Sequence, residues 1–401
     1  MKKMVGVLCV LLAGGCSLSA REESGVVSES TSYAIENNAV LSIRVEDKNY
    51  AKALYDLWNV TYPNHKDALK IKVKKPLFSQ HIEGDIAWVS DRDVVYQRAE
   101  ALPLKGLKEN MELKWKDSLE RVDNEDFFVP VTGKGLVFVR NLDTMRKRHV
   151  QDSDMDELES LASYQDEGYY QNRLPDYVYP LLFQGYQPLE EDLISQEELL
   201  QDEAFEEKLH EYRKLNDEMF LVDDLYEKDS FYLDGHYLCG LVMNDASYVN
   251  SEEYRKGHLQ FSAMPTWKGE QLSPLLDTYG FVVNKNTRYP HAVYAFLSMV
   301  RSKEGITALL DHTSSYPLVM EEDIASLQIF DTGKKEILAA MNHSQLRSGT
   351  YIKEKPSIAI DALFKKSDFY SILQNSLYTK EKDERVIKEL VKDMKLWIYK
   401  Q

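Results

Sequence analysis

Cysteine is scarce in this chain: three residues in 401, at Cys9, Cys16 and Cys239. That number cannot build a disulfide framework, so packing must hold the fold together. Cys239 lies in the apolar run Leu238-Cys239-Gly240-Leu241, which predicts a small buried side chain rather than a nucleophile. Long apolar runs are missing too. Past the N-terminus nothing approaches the roughly 20 apolar residues that a transmembrane helix requires. Basic residues are outnumbered by acidic ones, 49 to 66, for a formal net charge of −17. This balance argues against nucleic acid as a partner and against broad docking on anionic lipid. Enzyme signatures are also lacking: there is no G-x-S-x-G elbow, no P-loop, no H-E-x-x-H and no paired C-x-x-C. Asp152-x-Asp154-x-Asp156 starts like a calcium loop, but Glu157 stands where the sharp turn needs glycine and Ser163 where a bidentate Glu belongs. His81 and Glu83 share one strand face without a third ligand near in sequence. No metal or cofactor is therefore predicted. An enzyme whose residues converge only in three dimensions stays open.

What is present begins at the N-terminus. Lys2 and Lys3 are followed by the apolar stretch Met4 to Leu12, the length of a signal-peptide core. Leu12-Ala13-Gly14-Gly15-Cys16 then resembles the bacterial lipobox, which implies cleavage after residue 15 and lipid on Cys16. The alternative is an ordinary signal peptide with an incidental cysteine. Two acyl chains on one cysteine suffice for stable anchoring. Loss of residues 1–15 removes Lys2 and Lys3 and takes the formal charge from −17 to −19. Residues 16–38 are rich in Ser and Glu with little apolar pattern, and read as a flexible tether. About 360 residues follow, enough for two ordinary domains.

The folded body opens on a strand-helix-strand pattern. Leu41, Ile43 and Val45 alternate as in a half-buried strand, and Tyr50, Leu54, Leu57 and Trp58 have helical spacing. Strands are predicted over 69–73 and 85–89, giving an α/β lobe with a largely parallel sheet. The apolar stretch 127–139, broken by Gly133 and Gly135, suits a strand that leaves this lobe. From 152 to 229 the pattern is helical and acidic; residues 190–229 hold sixteen Asp or Glu against four Lys or Arg, which reads as a solvated face. Strands follow at 237–243, 259–264 and 279–283. Helices follow at 290–300, 333–341, 358–364 and 384–399.

Several blocks, in order, resemble the maltose-binding type of extracellular solute-binding protein. Phe261-Ser262-Ala263-Met264-Pro265-Thr266-Trp267-Lys268-Gly269 is similar to that family's strand and Pro-aromatic-Lys-Gly turn. Thr278-Tyr279-Gly280-Phe281-Val282-Val283-Asn284-Lys285-Asn286 resembles its second crossing between lobes. Tyr289-Pro290-His291-Ala292-Val293, Phe296-Leu297 and Ser302-Lys303-Glu304-Gly305 resemble its A-A-x-x-F-L…S-x-E-G helix, and Tyr316-Pro317-Leu318-Val319 the turn after it. Phe128-Val129-Pro130-Val131 with Gly135-Leu136-Val137-Phe138-Val139 resembles the first crossing. The resemblance implies an α/β, two-lobed, periplasmic-binding-protein-like clamp with three hinge crossings, near Thr132–Arg140, Asp277–Val283 and His312–Pro317. Lobe I would be residues 39–137 and 281–313, and lobe II residues 138–280 and 314–401. It further implies a non-enzymatic monomer that delivers a small solute, foremost a carbohydrate, to the membrane subunits of an ABC importer from outside the cell membrane.

Two clusters follow predicted strands, where open α/β sheets bind ligands. They are Asp47-Lys48 and Trp88-Val89-Ser90-Asp91-Arg92, both similar to sugar-contacting stretches of maltodextrin binders. An indole stacks on a sugar's C–H face while Asp accepts and Arg or Lys donates. The other reading makes Trp88 core and Asp91-Arg92 a surface pair. In lobe II the resemblance points to Asp176 and Tyr177, within Pro175–Pro180, and to Tyr248. The sequence also departs from maltodextrin binders. Thr132-Gly133 replaces their acidic residue at the first crossing, and their C-terminal ligand Trp is missing around 355–361. Another oligosaccharide, or a cationic solute such as a polyamine or peptide suited to the acidic chain, is therefore also open.

Overall fold

The computed structural model describes residues 34–75, 81–104, 107, 111–113, 127–164, 169–172, 180–182, 184, 203–218, 221–222, 237–244, 254, 256–346, 351–352, 355–359, 371–372, 375 and 382–400. The expected signal sequence, Cys16 and nearly all of the expected tether lie outside these residues.

The first strand, β1 (Leu41–Val45), buries Leu41, Ile43 and Val45 on one face, as their alternation requires. Helix α1 (Lys48–Thr61) starts where the Asp47 carboxylate accepts a hydrogen bond from the Tyr50 N–H at 2.7 Å. Tyr50, Leu54 and Trp58, one turn apart, lie on its buried face. The chain returns as β2 (Leu69–Val73), parallel to β1, and β3 (Ile86–Ser90) lies on the other side of β1. Lys70 and Lys72 are exposed on edge strand β2, where lysine discourages pairing with another chain. Helix α2 (Asp91–Gln97) follows β3 directly.

Strand β4 (Phe128–Asn141) is fourteen residues long and joins two halves of the sheet. After it come α3 (Leu142–Arg148), β5 (Tyr169–Asn172), α4 (Glu203–Glu218), β6 (Leu221–Val222), β7 (Cys239–Met243) and β8 (Leu259–Ser262). In α4, Leu209 and Tyr212 are buried while Glu206 and Glu207 are exposed, so this part of the acidic region does present a solvated face. Two short strands, β9 (Thr266–Trp267) and β10 (Glu270–Gln271), form a hairpin. Its two-residue loop, Lys268-Gly269, has φ of 51° and 80°, the left-handed pair that a type I′ turn demands.

Strand β11 (Leu275–Val283) is followed by α5 (Pro290–Val300), which opens with Pro at its first position, and by α6 (Lys303–His312). The Ser302 hydroxyl caps α6 by accepting from the Gly305 N–H at 3.1 Å. Then come β12 (Tyr316–Pro317), α7 (Thr332–Met341), β13 (Gln345–Leu346), β14 (Tyr351–Ile352), β15 (Lys355–Ala359) and α8 (Asp383–Lys400).

The main sheet runs β2-β1-β3-β11-β4-β7-β5-β6, with β8 and β12 also on β4 and β13 on β11. The first part of β4 pairs antiparallel with β11, and its last residues pair with β7 and β8. Burial follows the same division. Val129, Val131, Phe281 and Val283 join a core with β1, α1 and α5, whereas Val137, Val139 and Leu276 join another with β8 and α7. Pro130 is tolerated inside β4 because the pairing slips there: Tyr279 faces Thr132 but Gly280 faces Pro130. The bulge frees the Val131 carbonyl, which accepts from the Leu318 N–H at 2.9 Å.

Two expectations need correction. The acidic middle is not wholly helical, since β5 and β6 add two strands to the sheet; at four and two residues they are too short to impose a period on the sequence. The helix expected over 358–364 is contradicted at Ile358 and Ala359, which belong to β15; residues 360–364 lie outside those described.

Candidate functional site

Three chain segments meet at Gly133. Opposite it stand Thr278 of β11 on one side and Tyr316 of β12 on the other. A Cβ at this position would fall 2.7 Å from the tip of the Leu318 side chain and 2.9 Å from that of Met341, so both would have to shift to admit one. Asn244, just past β7, ties down the same stretch. Its amide donates to the Gly133 carbonyl at 2.9 Å and accepts from the Gly135 N–H at 3.3 Å, and its backbone N–H donates to the Gly135 carbonyl at 2.9 Å.

Over this junction lies a cavity of about 400 Å³, within the usual range for small-molecule pockets. One wall comes from the end of β1 and the start of α1, as Glu46, Asp47 and Tyr50, with Trp88 of β3 beside them. Thr132, Gly133 and Lys134 of β4, Tyr279 of β11 and Asn244 form the floor at the crossing. Thr313, Ser314, Ser315 and Tyr316 close the side after α6, and Lys75 approaches from the end of β2. The Thr313 hydroxyl shapes that loop by donating to the Leu309 carbonyl at 2.8 Å and accepting from the Ser315 N–H at 3.0 Å.

The cavity is thus lined in part by four aromatic side chains, Tyr50, Trp88, Tyr279 and Tyr316, with two carboxylates and two ammonium groups. Burial pushes the Tyr50 phenol well above the ordinary tyrosine range, and the Tyr316 phenol likewise. Both stay protonated and can donate. This mixture of apolar faces and charged hydrogen-bonding groups suits a polyhydroxylated ligand.

The expected residues fare differently. Asp47 lines the cavity, although one of its oxygens is occupied in capping α1. Lys48 is exposed as the first residue of α1 and is not part of the wall. Trp88 lines the cavity but is only 7% exposed, meeting Tyr50 edge-on at 5.7 Å and Phe281 at 5.0 Å. It is a core residue that shows the cavity a small part of its ring. Asp91 is 0% exposed and accepts from the Thr278 hydroxyl at 2.6 Å, an interior position from which it does not line the cavity. That burial also removes the alternative of Asp91 as a surface charge. The side chain of Arg92, and Asp176, Tyr177 and Tyr248 entirely, lie outside the described residues.

Glu46, Tyr50, Lys75, Lys134 and Asn244 were not anticipated as cavity residues. Glu46 and Tyr50 flank the Asp47-Lys48 cluster and were within reach of its logic. Lys75 and Asn244 carry no local signal, because their neighbours at the cavity are remote in sequence.

Elsewhere the suspected metal motif is spent on structure. Asp154 accepts from the Gln151 N–H at 3.0 Å and the Tyr164 hydroxyl at 2.9 Å, and Asp156 pairs with Arg140 at 3.2 Å. His81 bonds Glu100 at 2.6 Å while Glu83 bonds Lys74 at 2.9 Å, so the two do not converge. No cluster suited to a metal ion exists among the described residues. Nor, among them, is any helix long and apolar enough to cross a membrane.

No protein-family description and no curated protein sequence matches this chain. Solved structures do. The extracellular solute-binding protein of Staphylococcus aureus in complex with maltose superposes with a TM-score of 0.66 at 13% identity, covering 92% of this chain and 99% of its own. A sugar transporter from Rhizobium etli in an open conformation gives 0.64 at 13% identity, over 89% and 99%. The GacH receptor of Streptomyces glaucescens, solved unliganded and with acarbose, gives 0.59 at 14% identity, over 89% and 97%. These likenesses show the fold: a two-lobed α/β architecture.

Proposed function

We propose that this chain is an extracytoplasmic substrate-binding lipoprotein of an ABC importer and that its cargo is a carbohydrate. The carrying observation is the cavity at the meeting of the three crossing segments, where rings and charged groups face one space. The likeness to proteins solved with maltose and with acarbose supports the same reading. Binding has no catalytic step. Rings stack on the sugar, the carboxylates and ammonium groups bond its hydroxyls, and contacts from both lobes favour a closed clamp. The lobes are taken as residues 39–137 with 281–313 and 138–280 with 314–401, hinged at the crossings. Lobe II would contribute Asp176, Tyr177 and Tyr248, and Arg92 would complete the lobe I set with Asp47 and Trp88. Lipid on Cys16 would hold the monomer at the outer face of the cell membrane, within reach of the importer's membrane subunits.

Thermal unfolding against a panel of neutral and charged oligosaccharides, with polyamines and peptides as contrast, tests this. A ligand at a hundredfold its dissociation constant stabilises by about 2.7 kcal/mol. A rise in midpoint confined to one saccharide class is the expected result, weakened in Trp88→Phe, which alters the exposed ring edge but keeps most of the core volume. A rise with polyamines or peptides alone would replace the carbohydrate reading with a cationic cargo.

A further inference from the structure

Charge in this chain is unevenly placed. Five lysines, Lys66, Lys70, Lys72, Lys74 and Lys75, fall within residues 66–75 against the single acid Asp67, although the formal net charge is −17. All five are exposed. Leu69 and Ile71 turn toward the core that α1 shares. The alternation of β2 therefore puts Lys70 and Lys72 on its opposite face, about 7 Å apart. One or two lysines suffice to guard an edge strand. Here the row runs along β2 and past both its ends, which guarding does not require.

The neighbouring strand adds to the row. Arg44 of β1 lies beside Lys72 in register. Glu83 meets this group, pairing with Lys74 at 2.9 Å and with Arg44 at 3.8 Å. The Lys74 hydrogen bond, with the fields of Arg44 and Lys72, holds the Glu83 carboxyl below the usual carboxylate range. Asp85 uses one oxygen to accept from the Ser42 N–H at 2.8 Å, and Ser42 stands opposite Lys70. Cations thus exceed acids along this edge, the reverse of the chain as a whole.

The edge also adjoins the place where the N-terminal segment enters the folded body. Ile35 is buried in the same core as Leu41 and Leu69, which pair at the start of β1 and β2. Glu36 fixes that entry: its carboxylate accepts from the His291 and Ala292 N–H groups, at the start of α5, at 2.9 and 3.0 Å. A flexible tether from Cys16 to Ala34 would have a root-mean-square span of about 23 Å.

We propose that the lysine edge of β2 docks on the anionic phospholipid headgroups of the membrane that carries the Cys16 anchor. This rests on the lipoprotein reading given above. An anionic surface repels the acidic remainder of the chain, so the edge of opposite sign is the one that turns toward it. Ammonium groups on flexible stems suit a fluid layer of phosphates, which offers charge without fixed geometry. The contact is weak by itself; the anchor supplies the effective concentration at which it forms. Docking then orients the body, with the β1–β2 side against the membrane.

For the test, the mature chain is coupled through its Cys16 thiol to maleimide lipid, Cys239 being buried. The vesicles are phosphatidylcholine alone or mixed equally with phosphatidylglycerol, and acetylation of each lysine is read by mass spectrometry. Labelling of Lys66, Lys70, Lys72 and Lys74 should fall at least about threefold on the anionic vesicles and recover at high salt. Lys268 and Lys335, exposed on other elements, should not change. Lys70→Glu with Lys72→Glu should abolish the protection of Lys66 and Lys74 at an unchanged unfolding midpoint. Equal labelling on the two vesicles, or protection that extends evenly to Lys268 and Lys335, overturns the docking edge and leaves the anchor untouched. The mass of the chain extracted from cell membranes tests the anchor separately. A Cys16 without acyl chains there overturns the lipoprotein reading, and the docking with it.

Discussion

Asp91 and Thr278 share a 2.6 Å hydrogen bond in the interior, and this fixes what substitution there must do. Asp91→Ala leaves the Thr278 hydroxyl without that acceptor in a buried place, which should cost about 2 kcal/mol or more. Chemical denaturation reads this as a lower midpoint at unchanged slope. A stable Asp91→Ala variant with altered ligand affinity would instead return Asp91 to the binding set. Glu336 illustrates a titration effect of the opposite kind. Burial raises its pKa, partly offset by the hydrogen bond it accepts from the Phe261 N–H. The native chain therefore binds its proton more tightly than the unfolded chain, so this contribution is present below the ordinary glutamate pKa and is lost as pH rises through the raised value. Glu336→Gln should unfold at a slightly higher temperature than wild type at pH 7.5, by less than about 1 kcal/mol for a half-exposed group, and the gap should close near pH 4. Cys239 is buried, and burial pushes its thiol far up. A thiol reagent at pH 8 should label it only in step with unfolding.

At the scale of elements, β4 is the piece on which both halves depend. Its pairing with β11 needs Gly280, because a Cβ there would sit 2.0 Å from the Val129 carbonyl oxygen. Gly280→Ala should therefore separate the strands and lower stability by more than about 2 kcal/mol, measurable by equilibrium unfolding. Pro130, Gly133, Gly135 and Gly280 weaken β4 and β11 as strands in isolation, yet each sits where the crossing demands a bulge or a close approach. The pattern was legible in part. Apolar alternation marked β1, and the helical stripe Val293, Phe296, Leu297 and Val300 marked α5, because one buried face imposes a period on the sequence. The strand at β15 was misread because its few residues carry no period long enough to separate strand from helix.

For the whole molecule, the proposed clamp requires the halves to move about the crossings at Gly133 and its neighbours. A saturating ligand that bridges them should reduce the radius of gyration measured by solution scattering, and no change on saturation would remove the clamp mechanism. The candidate site could be read only partly from the chain because most of its walls come from segments remote from one another. Lys75, Lys134, Asn244 and Tyr316 reach one cavity only because β4, β11 and β12 cross there.

The sequence alone determined the periodic elements, the acidic character and the glycines and prolines of the crossings, since these depend on local spacing and composition. Tertiary structure decided which polar groups face the cavity. It placed Asp91 in the interior against Thr278 and turned Trp88 largely into the core. The physical reason is that burial and hydrogen-bond satisfaction are set by what the remote strands bring alongside. A residue's type and its immediate neighbours carry no record of that.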